Sequence, residues 1–97
     1  MKLIVEVLEI KGKCPVYKIG DKIVLDDGYK VNIKETNNIC MHSLGSLLPY
    51  YNALARGISA QELGLSSGGK EAYIQCLDPK EHTGGGTVIF KISRKES

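Results

Sequence analysis

The chain has no apolar run long enough to cross a bilayer: Leu3-Ile4-Val5 is interrupted by Glu6 and Glu9, far short of the roughly 20 residues a spanning helix needs. It carries little net charge, +2 from thirteen basic and eleven acidic side chains, so no strong field recruits nucleic acid or anionic lipid, and neither is an expected partner. Glycine and proline are too scarce for a disordered or collagen-like chain, and no repeat, low-complexity run or linker interrupts the 97 residues. Residues 1–97 are therefore read as a single domain, which at this size buries roughly two thirds of its surface on folding. There is no Cys-x-x-Cys pair, the local spacing that makes zinc or iron–sulfur sites readable. No Ser/His/Asp set and no convincing carboxylate pair is recognisable either. No basic segment, apolar core and cleavage site precede Lys11, and three cysteines cannot all pair within one chain. The expectation is a cytoplasmic protein with reduced thiols.

What is present reads as strands around one helical stretch. Lys2 to Ile10 is rich in branched residues and alternates Leu3, Val5 and Val7 against Lys2, Ile4, Glu6 and Leu8, a strand that Gly12 ends. Ile23-Val24-Leu25 is a second strand, and Asp26-Asp27-Gly28 is a hairpin signal. The return limb, Tyr29 to Ile33, is expected to pair with residues 22–25. From Ile39 the period changes: Ile39, Leu44, Leu47, Leu48, Tyr51, Leu54 and Ala55 fall on one helical face. Asn37 or Asn38 is expected to cap its start, and Gly57 to stop it in the left-handed conformation. Pro49 divides it, with a second helix expected from Ser46. Ser59-Ala60-Gln61-Glu62 fits a capping box before one short helical turn. Glu71 to Leu77 and Gly86 to Ser93 read as strands. The fold class this order predicts is α+β: a small antiparallel sheet, curled as far as a half-barrel, packed against one helical segment from about residue 39 to 56.

Two glycine-rich stretches invite and fail a phosphate reading. Gly64 to Glu71 nearly spells the phosphate-binding loop, but Glu71 replaces the hydroxyl that would ligate magnesium and would repel phosphate. The stretch also runs from a helical turn into a strand, the reverse of the order that aims a helix N-terminus at an anion. Thr83-Gly84-Gly85-Gly86-Thr87 has the composition of an anion nest but reads as a connection between strands. Lys11, Lys13, Lys18 and Lys22, with Lys91, Arg94 and Lys95, read as a solvated face and a tail.

The candidate site is built on Cys14, Cys40 and Cys76, each beside a turn or helix end: Lys13-Cys14-Pro15, Ile39-Cys40-Met41-His42 and Cys76-Leu77-Asp78-Pro79. Zinc takes three such thiolates plus a histidine, water or substrate. His42 can join Cys40 on one metal only if the helix begins after Cys40, since positions two apart on a helix point about 200° apart. His82 is read as exposed. The competing reading makes each cysteine a small buried apolar residue.

Cys14-Pro15-Val16-Tyr17-Lys18-Ile19-Gly20-Asp21, Ile39-Cys40, Leu48-Pro49, Ala53-Leu54-Ala55-Arg56-Gly57, Gln75-Cys76-Leu77-Asp78-Pro79 and Thr87 to Arg94 together resemble a family of small prokaryotic proteins of unknown function. The family pattern places a cysteine before a Gly-Asp turn, a second at the start of the helical segment, a third before Asp-Pro, and an apolar last strand ending in arginine. Val16-Tyr17, Met41 and Leu77 depart from its Gly-His step and its prolines, so the role of that histidine does not transfer. The resemblance implies a shared fold and no activity.

Three functions follow as expectations. The first is a binding module whose Cys14, Cys40 and Cys76, with His42, form a metal or redox-sensitive site holding zinc or iron. The second is an enzyme with Cys40 as nucleophile, activated by the helix N-terminus and a histidine. The third is a protein-interaction adaptor that uses an exposed sheet edge and has structurally buried cysteines. A homodimer through an edge strand is permitted and not required.

Overall fold

The computed structural model describes residues 1–96. Its elements, in chain order, are β1 (Lys2–Gly12), β2 (Lys22–Asp26), β3 (Lys30–Val31), α1 (Met41–Leu47), α2 (Tyr51–Ala55), β4 (Ala72–Gln75), α3 (Lys80–Thr83) and β5 (Gly86–Lys95). The strands form one antiparallel sheet in the order β3-β2-β1-β5-β4. This is the predicted α+β class. The sheet remains open, and the helical component is three short pieces.

The long strands β1 and β5 form the centre, running from Lys2 opposite Lys95 to Gly12 opposite Gly86. Alternation along them sends Leu3, Val5 and Val7 of β1 and Val88, Phe90 and Ile92 of β5 to one face, where they are buried with Leu47, Leu54, Ala55, Ala72 and Ile74. The pairing slips between Val7 and Glu9, leaving Leu8 as an extra, exposed residue. Such a bulge reverses the side-chain parity beyond it. Ile10 thereby returns to the core face, opposite Val88.

The hairpin forms at its expected place. Asp27 and Gly28 both take positive φ, 56° and 82°, signs that match strand twist in a tight turn, and Tyr29 completes the loop, since Asp26 pairs with Lys30. Its return limb is shorter than expected: only Lys30 and Val31 pair, and Asn32 to Asn37 instead fold back along β2. The helical stretch splits at Pro49, as predicted, although the second helix starts at Tyr51 and the proline lies in the turn between the two. Gly57, at φ 92°, ends α2 with its N–H on Leu54 O and that of Ile58 on Ala53 O, the paired bonds of a left-handed glycine stop. The helix start differs: the capping position is Cys40, while Asn37 Oδ1 accepts from Lys22 N–H and Asn38 Oδ1 from Ile39 N–H. Ser59 Oγ accepts from Glu62 N–H at 3.1 Å, half of the expected capping box. α3, directly after Pro79, has no apolar periodicity and no buried residue, and so gave no sequence signal.

Candidate functional site

Two of the three cysteines meet at Tyr17. This residue follows the Cys14-Pro15 turn, is 4% exposed, and sets its ring edge-on against Phe90, centroids 5.5 Å apart at 88°. Its backbone N–H lies 3.4 Å from Cys14 Sγ, and its hydroxyl accepts the Cys40 N–H at 2.8 Å. Cys40 is extended, φ −86° and ψ 134°, and its carbonyl accepts the first helical bond, from Leu44. The helix thus begins after Cys40, the condition for Cys40 and His42 to share a metal, but His42 is exposed on α1.

Burial raises the Tyr17 pKa above its usual value near 10; the bond from Cys40 N–H and the nearness of Ser43 act the other way, and the neighbouring Cys40 and Cys14 thiols add to the rise. Ser43 is 1% exposed, and its hydroxyl finds no partner of good geometry among the described residues although it stands close enough to favour the phenolate. A raised folded pKa stabilises the native state fully below the unfolded value and loses that contribution as pH climbs from about 10 through the folded value. Tyr17→Phe leaves the Cys40 N–H without its acceptor and is expected to lower stability by about 1–2 kcal/mol at pH 7. Urea unfolding of both proteins across pH 8–11 checks this: the gap between them narrows only above about pH 10.

Cys76 is 6% exposed and follows β4, with its N–H on Val88 O and its Sγ 3.4 Å from Asp78 N–H. It belongs to the same apolar core as Tyr17 and Phe90, against which Cys14 and Cys40 pack from the side. All three thiols are free. Among the described residues, no group of three or more His, Cys, Asp or Glu side chains is placed to hold a metal ion.

The chain's own carboxylate, Asp78, packs against the glycine-rich stretch before β5 at Gly85. Asp78 accepts from Thr83 Oγ1, and Gly85 lies so close that a Cβ there would stand 2.4 Å from Asp78 Oδ2. Thr87 Oγ1 binds Asp78 O at 2.6 Å. Gly85 N–H donates to Thr83 Oγ1 at 3.1 Å and Gly84 N–H to Lys80 O at 3.0 Å, so these backbone donors are used within the chain and the stretch serves as a connection.

The sequence reading offers an exposed sheet edge without naming a strand; β4 lies at one edge of the sheet. Cys76 N–H points to β5, so alternation turns the backbones of Tyr73 and Gln75 outward. Tyr73 N–H is taken by Leu65 O at 2.9 Å, whereas the Gln75 backbone meets no partner among the described residues. Beside it lies a hollow of about 550 Å³ whose walls include Gly45, Tyr50, Leu65, Tyr73, Leu77 and Ile89, with no charged side chain in its lining. Gly45 lets Leu77 approach, since a Cβ there would stand 3.1 Å from Leu77 Cδ1. Leu48, Tyr73 and Leu77 are 56%, 42% and 63% exposed. The sequence carries no signal for this site, since which strand lies at an edge is set by the strand order.

On the other side of the sheet, the loop after β3 returns to β2. There Asn32 N–H binds Val24 O, Thr36 Oγ1 accepts Val24 N–H, and Asn37 exchanges two bonds with the Lys22 backbone. The loop after β3 thus continues the pairing along β2, beyond the two paired residues of β3.

The chain matches no family model, no curated protein and no solved structure. That outcome is consistent with an uncharacterised family, and it transfers no activity. Among the described residues no helix is long and apolar enough to cross a membrane.

Proposed function

We propose that this protein is a protein-interaction module that docks an extended, uncharged segment of a partner along β4. The observation that carries the reading is the Gln75 N–H and C=O, free among the described residues and lying beside an apolar hollow. An added strand satisfies those backbone groups, and its alternate side chains enter flanking pockets. The lining contains no charge, so a charged side chain placed there would lose its hydration without compensation. The occupant is accordingly an apolar segment with a free backbone.

In this reading Cys14, Cys40 and Cys76 serve the fold, through the Tyr17 contacts and the turn at Asp78. Rapid alkylation of all three in the native protein would overturn that assignment.

A display selection with random peptides of about six residues, the usual strand length, tests the docking reading. Enriched peptides should carry alternating apolar residues and shift the amide resonances of residues 73–77. Gln75→Pro removes an outward N–H that the sheet does not use, the position an edge strand tolerates, and should weaken binding at least tenfold while leaving the fold intact. Gln75→Lys, a milder edge blocker, should act in the same direction. Equal binding by both variants, or no enrichment over the selection background, overturns the proposal.

A further inference from the structure

A second concavity, with a different lining, has a chemistry of its own. It encloses about 430 Å³ between the end of α2, the loop before β4 and the last residues of β5. Its floor is made of core side chains, among them Leu3, Leu54 and Ile92. Its rim carries charges of both signs, Lys70 and Arg94 against Glu71 and Glu96. Gly57 and Gly69 stand in its lining without crowding: among the described residues, a Cβ at Gly69 would meet nothing within 4 Å and one at Gly57 would reach Arg94 Nη1 at 4.0 Å.

We infer that this concavity binds a free α-amino acid with an apolar side chain. An apolar floor under a rim of mixed sign matches a small molecule that carries an apolar group, a carboxylate and an ammonium on one carbon. Arg94 offers a fork of donors for the carboxylate, and the rim carboxylates accept the ammonium. Arg94 now rests on Glu96 at 3.0 Å, with both side chains largely exposed. An exposed pair of this kind contributes little, so exchanging it for a ligand carboxylate sets no barrier to binding. Both charges of the ligand are needed, because each alone would leave rim charges of the other sign facing an apolar body.

The test is titration of the isotopically labelled protein with L-leucine, followed through the amide resonances of Gly57, Gly69 and Ser93. Isopentylamine and 4-methylpentanoate, which each keep one of leucine's two charges, are titrated in parallel. Saturable shifts with leucine below about 10 mM, a range in which weak small-ligand affinities fall, and at least tenfold weaker binding of both analogues are expected. Arg94→Gln and Glu71→Gln, both changes on the rim, should each weaken leucine binding several-fold without changing the thermal midpoint appreciably. No saturable shift with leucine, equal binding of a singly charged analogue, or unchanged affinity in both variants overturns the inference. Because the peptide experiment reads residues 73–77, failure at either site leaves the other result standing.

Discussion

Phe90→Ala is expected to lower stability by about 3–5 kcal/mol, the range for emptying a large aromatic from a core. Phe90 is 1% exposed at the centre of β5, opposite Val7 on one side and Ile74 on the other. Its removal costs the transfer of a large apolar surface and leaves a cavity bounded by three strands that are hydrogen-bonded together and cannot collapse around it. It also removes the edge-on partner of Tyr17, a contact worth about 0.5–1.5 kcal/mol beyond area alone. Against a total of about 5–15 kcal/mol for an ordinary domain, the loss is a large fraction. Urea unfolding should show the midpoint falling with little change in slope, and the thermal midpoint should drop by at least about 12 °C. Phe90→Leu, which retains most of the volume, should cost distinctly less. Equal losses for the two variants would mean that the site relaxes freely, contrary to this packing.

The strands that build this core were readable because their pattern is local. Leu3, Val5 and Val7, and Val88, Phe90 and Ile92, announce their face by simple alternation. Leu8 defeats the same rule, since the bulge there depends on how β1 pairs with β5 and not on β1 alone. The Asn37 and Asn38 caps failed for a related reason: Asn37 is drawn away to the Lys22 backbone, a contact fifteen residues back along the chain. Gly57 was legible because its left-handed stop needs only its own helix. For the site, the sequence gives each thiol a turn, but Tyr17, the residue around which Cys14 and Cys40 gather, carries no signal of its own. The free side of β4 could not be read at all before strand order was known, since edge and centre are properties of the sheet.

Gly28→Ala is the second substitution with a large expected effect, about 2–5 kcal/mol, and here two costs can be separated. The first is conformational: Gly28 sits at φ 82°, and an L-residue in that region pays roughly 1–2 kcal/mol. The second is steric, because an added Cβ would stand 2.4 Å from Ala55 Cβ, and Ala55 is fully buried at the last position of α2. Overpacking of that kind costs about 1–3 kcal/mol. The nearby Met1 Cε and Arg56 Nη2, at 3.1 and 3.3 Å, are ends of flexible side chains and can yield. Backing away from Ala55 would strain the contacts that hold the turn on the helix: Arg56 Nη2 donates to Asp27 O at 2.9 Å and the guanidinium lies over the Tyr29 ring at 5.9 Å. The double variant Gly28→Ala with Ala55→Gly restores space but not φ, so the two changes should couple favourably by about 1–3 kcal/mol in a double-mutant cycle after allowance for the glycine at the helix end. If the cycle shows no coupling, the turn does not press on α2, and the whole loss belongs to the backbone of residue 28.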